Sequence, residues 1–205
     1  MTGSAREPAL LLFAAIAGLI VSGIGPHDRL TWVLEVLPIL IGFPILIATF
    51  SRFRLTPLLY RLIFLHALIL MIGGHYTYAE VPAGFWVQDM FDLARNPYDR
   101  LGHLAQGFVP AILAREILLR RTPLAKGGWL FILVTAVCLA FSAFYELAEW
   151  AAALALDQSA DAFLGTQGDP WDTQWDMFLA LVGALAAQII LARLHDRQLG
   201  KLAPA

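Results

Sequence analysis

Apolar runs of roughly twenty residues recur from one end of the chain to the other, separated by short polar stretches. A run of that length is what a helix needs to cross the hydrocarbon core of a bilayer. The pattern predicts helices over 9–25, 30–50, 57–75, 98–119, 128–156 and 171–194. The expected fold is all-α, a polytopic membrane protein built as a bundle of about six transmembrane helices, forming a single integral-membrane domain over 1–205. Pro38 and Pro44 fall inside the second helix and Pro110 inside the fourth. Bends are expected there, and neighbouring helices can satisfy the freed carbonyls. The first run follows Arg6 and ends in Ser22, Gly23 and Gly25, which imitates a signal peptide. Five further spans follow it, so an uncleaved first helix is the better reading.

Composition agrees. The chain is 59% hydrophobic and 15% charged, with a mean hydropathy of +0.68. Soluble domains carry about 25% charged residues, so too little charge is present here to solvate a globular surface. Cys138 is the only cysteine and lies in an apolar run, which excludes an internal disulfide and argues against a thiol catalyst. No phosphate-binding loop, H-E-x-x-H or G-x-S-x-G motif is present. No basic stripe interleaved with aromatics points to nucleic acid.

Charge sign sets an expected orientation. Arg52, Arg54 and Arg61 flank the second connection, Arg115, Arg120, Arg121 and Lys126 the fourth, and Arg193, Arg197 and Lys201 the C-terminus. Only Arg29, Arg95 and Arg100 fall on the other side. The positive-inside rule then places both termini in the cytoplasm. The acids do the opposite. Asp28, Glu35, Glu80, Asp89, Asp92, Asp99, Glu146, Glu149, Asp157, Asp161, Asp169, Asp172 and Asp176 all belong to the outer half, and only Glu7, Glu116 and Asp196 to the inner. Avoidance of the basic belt accounts for the loop acids. It does not account for acids inside helices, because charge at membrane depth is costly and is a functional-site hypothesis by default.

Two segments look alike. Asn96-Pro97-Tyr98-Asp99 leads to His103, and Asp169-Pro170-Trp171-Asp172 leads to Asp176. Each reads as cap, proline, aromatic, acid, then a polar residue one turn later, at the start of a helix running inward. Capping covers much of this: Asn and Asp suit the N-cap, proline the first helical position, and an acid the first turn. It does not cover His103 and Asp176, which lie about two turns in. Spacing by four puts Asp99 with His103 on one face, and Asp172 with Asp176 on another. Glu146 and Glu149 share a face of the fifth helix, and Glu35 lies at comparable depth on the second. Two acids near two more repel unless protons or a cation hold them. The candidate constellation is His75, Arg100, His103, Glu146, Glu149, Asp172 and Asp176. His75, His103, Asp176 and Glu149 are the candidate metal ligands, and Glu146, Glu149, Asp172 and Arg100 the candidate catalytic groups. Imidazole with carboxylate suits a divalent metal such as zinc or manganese, and equally a proton relay or a buried, satisfied structural network. His66, mid-span, reads as a packed histidine.

Asp99-Arg100-Leu101-Gly102-His103 resembles the D-K-x-x-H signature of the VanZ-like membrane proteins. Tyr145-Glu146-Leu147-Ala148-Glu149 and Asp172-Thr173-Gln174-Trp175-Asp176, with Gly183, resemble two further segments of that group, with Glu149 and Asp176 standing where amides are usual. A longer resemblance is to the YjdF inner-membrane family. It is carried by Gly74-His75-Tyr76-Thr77-Tyr78, by the run from Asn96 to His103 and by the run from Gly168 to Met177. These resemblances imply a bacterial inner-membrane protein, and the VanZ-like group is linked to glycopeptide tolerance and the cell envelope. They imply no reaction.

Three functions stay open on the residues alone. One is a metal-dependent enzyme in the lipid bilayer acting on a lipid-linked or envelope precursor from the outer leaflet. Another is a proton- or cation-coupled carrier, against which stands the lack of matching intramembrane charge in the inner half. The last is a non-catalytic module that binds a lipid carrier or a partner. Oligomeric state is not legible. Convergence of His103, Glu146 and Asp176 is the structural test of the site.

Overall fold

The computed structural model describes residues 5–155 and 167–202. These residues form α1 (Arg6–Ser22), α2 (Arg29–Thr49), α3 (Pro57–Tyr76), a 3-10 turn (Tyr78–Glu80), α4 (Pro82–Phe91), α5 (Tyr98–Arg121), α6 (Gly128–Ala155) and α7 (Asp172–Leu199). No strand occurs among the described residues. The acids Asp157 and Asp161, and the last residue expected in the fifth helix, lie outside them.

All six expected helices are present. Four of them, α2, α3, α6 and α7, are long and apolar enough to cross a membrane by length and composition. The other two fall short for different reasons. α1 is 17 residues long. α5 has 24 residues, about 36 Å at 1.5 Å per residue, but carries Asp99, Arg100, His103, Arg115, Glu116, Arg120 and Arg121. It keeps that polarity because it is the most enclosed helix of the bundle, with eleven buried positions. α2 continues through Pro38 and Pro44, and α5 through Pro110. The run lengths predict only a connection over 76–97, whereas α4 and the 3-10 turn occupy it.

α5 and α7 pack most extensively. Both begin at the acidic end and run the same way. Their backbones approach so closely that a Cβ on Gly107 would collide with the Ala180 carbonyl oxygen, and one on Gly183 with that of Leu104. Small residues at such a seam let dispersion act between helix backbones, the main attraction available where lipid is as apolar as the helices. α6 lies antiparallel against the pair: Glu146 meets His103 at one end, and Thr135 accepts from Gln188 (3.0 Å) nearer the other. The apolar core sits at this seam, with Ala111, Ile112, Val134, Ala184 and Ala187 fully enclosed. α3 lies against α5 and carries α1 and α2 on its other sides.

The basic end is closed by a polar lock. Glu116 of α5 is fully buried, and its carboxylate accepts from the Thr56 backbone N–H (3.1 Å), the Thr56 hydroxyl (2.8 Å), Arg120 (2.7 Å) and His195 Nε2 (3.0 Å). His195 Nδ1 lies 2.9 Å from Arg115. A guanidinium only donates, so Nδ1 is the accepting nitrogen, and the imidazole is neutral with its proton on Nε2. Thr56 is also the N-cap of α3. One carboxylate thus ties α3, α5 and α7 together. The sequence predicts no matching intramembrane charge in this half; the structure fully buries Glu116 and His195 there.

Two predictions follow for unfolding in mixed micelles. Gly183→Leu costs about 1–3 kcal/mol through overpacking of the seam. Glu116→Ala costs about 3–5 kcal/mol, because it leaves buried donors unpaired. Thermal midpoints in detergent check both, and an unchanged Gly183→Leu protein would show that the seam is loose.

Candidate functional site

The acidic end is built on the two similar segments. The Asn96 side chain accepts from the Tyr98 N–H (3.0 Å), and the Asp169 side chain from the Trp171 N–H (2.9 Å). Each is an Asx turn; the N-caps are Pro97 and Trp171, without a side-chain cap bond, in place of the expected Asn96 and Asp169. α5 and α7 therefore start at the same level and side by side, and residues at matching steps face each other: His103 opposite Asp176, and Gly107 opposite Ala180. Two adjacent helix N-termini put two partial positive charges together, which favours acids in both first turns. Asp99 and Asp172 occupy those places.

Arg95 joins them. Its guanidinium reaches Asp99 at 3.2 Å, hydrogen-bonds Asp172, and lies 3.7 Å from Asp169. It is only 8% exposed. The sequence reading passed over Arg95 as a loop cation. Arg95 precedes α5, so no helical spacing pointed to it.

His103 sits one turn further in. Its Nδ1 is 2.9 Å from Gln106 Oε1, an atom that only accepts, so Nδ1 carries a proton. Its Nε2 faces Asp99 Oδ1 at 3.4 Å and Asp176 Oδ1 at 3.7 Å. One ligand atom from each of Asp99, His103 and Asp176 lies within 4.8 Å of the others, and all three residues are buried. Glu146 Oε1 stands 3.7 Å from His103 Nδ1. Asp176 Oδ1 and Glu146 Oε1 are enclosed and have no hydrogen-bond partner. The expected convergence of His103, Glu146 and Asp176 is thus met.

The other candidates lie elsewhere. Asp172 belongs to the Arg95 clamp. Arg100 is at the rim, 3.6 Å from Asp169 and over the Trp175 ring. Glu149 lines a cleft with Glu35 and Tyr145, beside the centre but outside its ligand set. His75 does not reach it. Its Nδ1 bonds the Ser22 carbonyl (2.8 Å), and it lines an apolar cavity of about 280 Å³ against α1 with Gly18 and Met71. A helix-terminal histidine is aimed by whichever helix it packs on, and α1 is the neighbour on that side. Asp99, by contrast, enters the ligand group from a place that capping alone would explain.

Two groups beside the spans have shifted acidities. Burial pushes the Tyr78 phenol well above its ordinary value, with Glu35 adding to the rise, so the hydroxyl stays protonated and bonds Glu35. Asp28 caps α2 through the Thr31 N–H (2.7 Å), and that bond holds its carboxyl below the usual range.

A helical bundle with four helices long and apolar enough to cross a membrane, packed around a buried carboxylate–imidazole group, defines a multi-pass helical membrane protein with a polar cluster at one end. The family described as "Predicted membrane protein (DUF2238)" matches residues 8–197, and the chain belongs to that family. It is similar to "Inner membrane protein YjdF" of Escherichia coli (strain K12), with 61% identity over 181 residues, 88% of this chain and 87% of that protein. The chain is accordingly a multi-pass inner-membrane protein. No solved structure matches it. The VanZ-like resemblance rests on the short motifs alone.

Arg95→Ala should destabilise by about 3–5 kcal/mol, since it strands Asp99 and Asp172 in a buried site. Arg95→Lys should recover only part of the loss, because an ammonium cannot reproduce the fork that spans two carboxylates. Unfolding midpoints of the three proteins in detergent check the order.

Proposed function

We propose that this protein holds a divalent cation, zinc or manganese, between Asp99, His103 and Asp176, and uses it on a lipid-linked or envelope precursor at the outer face of the inner membrane. One observation carries the reading. The Nδ1 proton of His103 is committed to Gln106, which leaves Nε2 to face two buried carboxylate oxygens. Ligands 2.0–2.2 Å from a cation stand roughly 3–3.5 Å apart, so separations of 3.4 and 3.7 Å need little adjustment. A side-chain partner on the far ring nitrogen is also how ligating histidines are oriented.

A cation there would polarise a phosphoryl or carbonyl oxygen or acidify a bound water. Glu146 is placed to take a proton, and Arg100 at the rim to meet an anionic group. The outward assignment follows from the basic connections at the opposite end, which the positive-inside rule puts in the cytoplasm along with both termini. Six spanning helices complete the topology: α1 and α5 cross with the four apolar ones, α5 shielded by its neighbours. The basic end favours catalysis or binding over transport, because Glu116 already accepts from Thr56, Arg120 and His195 and offers no exchangeable site on that side.

Elemental analysis of protein purified without chelators tests this. About one metal ion per chain is expected in the wild type, with loss in both His103→Ala and Asp176→Ala while the protein stays monodisperse. A well-folded wild type free of zinc, manganese and iron would overturn the cation centre.

A further inference from the structure

α4 has ten residues, about 15 Å at 1.5 Å per residue, too short to cross a bilayer. Its apolar residues nevertheless follow a helical stripe. Ala83, Trp86, Val87, Met90 and Phe91 recur at the i, i+3, i+4, i+7, i+8 spacing of one face. In a soluble protein that face would turn to the core. Here all five residues are exposed, Trp86 at 73% and Met90 at 74%.

The protein holds α4 by a different flank. Gly84 lies so close to Asn96 that a Cβ would collide with its side-chain oxygen. Asn96 Nδ2 donates to the Val81 carbonyl at the N-cap of α4 (3.0 Å), and Asn96 Oδ1 accepts from the Tyr98 N–H. Otherwise α4 packs chiefly on the 3-10 turn before it. At about 3.6 residues per turn, Gly84 and the half-buried Gln88 face the protein. The stripe falls to one side of them, and Asp89 with Phe85 to the other. A helix with one flank on protein, one apolar side and one side carrying charge is laid out to lie along a boundary between hydrocarbon and water.

Its surroundings say what covers the stripe. The same end of the bundle carries Trp150, Trp171 and Trp175, exposed at 57%, 64% and 44%, where an interfacial aromatic belt belongs. Trp86 adds to that girdle. Charge points the same way. α4 and its C-cap carry Asp89 and Asp92 and no Lys or Arg, so nothing on the helix attracts an anionic headgroup or an acidic protein. Burial of apolar surface is the force the stripe has to offer.

We infer that α4 is an in-plane anchor, whose stripe sinks into the lipid leaflet at the acidic end by apolar contact alone. Because Asn96 bonds both the N-cap of α4 and the first turn of α5, the anchor also sets the depth at which α5 begins.

Val87→Cys and Met90→Cys place a thiol in the stripe, and Asp89→Cys places one outside it. Each full-length protein is labelled with a thiol-reactive fluorophore and assembled into phosphatidylcholine nanodiscs, with the thermal midpoint confirming the fold. The parent protein, whose Cys138 is buried, controls for background labelling. Quenching is read with bromine on the acyl chains and with iodide in the water. Bromolipid should quench the two stripe labels about threefold more than the Asp89→Cys label, and iodide the reverse. Replacing part of the lipid by phosphatidylglycerol should leave both ratios unchanged. Equal bromolipid quenching at all three positions would overturn the inference, as would stripe labels that iodide reaches as freely as the Asp89→Cys label. Stripe labels that neither quencher reaches would also overturn it, and would mean that a second copy or a protein partner covers the face. Quenching that requires phosphatidylglycerol would overturn anchoring by apolar contact alone.

Discussion

Arg95 is the interaction on which the acidic end depends. Two parallel helices begin beside each other, each with an acid in its first turn, and one buried guanidinium is bonded to both. Without it the pair would bring two like charges together away from water, which costs several kcal/mol per ion. With it, Asp99 and Asp172 become the fixed floor on which His103 and Asp176 stand. The close approach at Gly107 and Gly183 then holds those two side chains at one depth. Clamp and seam act together: the clamp sets the level of the helices, and the seam sets their separation.

The two ends of the α5–α7 pair treat buried charge in opposite ways. At the basic end every oxygen of Glu116 is engaged and His195 is held as a neutral ring between an acceptor and a donor. Such a network rigidifies and has nothing left to give a ligand. At the acidic end Asp176 Oδ1 and Glu146 Oε1 are enclosed without hydrogen bonds.

Much of this was legible in the sequence. The helices declared themselves by run length, and the repeated Asx-Pro-aromatic-Asp segments gave the level of α5 and α7 as well as the facing of His103 and Asp176. What stayed hidden had physical reasons. Arg95 sits outside any helix, so no periodicity assigned it a face. Glu116 and His195 lie where basic residues crowd the sequence, and nothing in the sequence shows that Thr56, the N-cap of α3, covers Glu116. His75 was misplaced because its depth follows from sequence whereas its direction depends on α1. The short α4 escaped because ten residues with Gly84 and exposed Trp86 and Met90 lack the length of a span.

The order of synthesis gives the clamp another meaning. Arg95 emerges 77 residues before Asp172, and His195 comes 79 after Glu116. α5 is therefore made before Asp172, a partner of Arg95, and before His195, the imidazole partner of Glu116. Only entry of α7 completes both ends at once. A chain that stopped before α7 would leave Arg95 without Asp172 and Glu116 without His195.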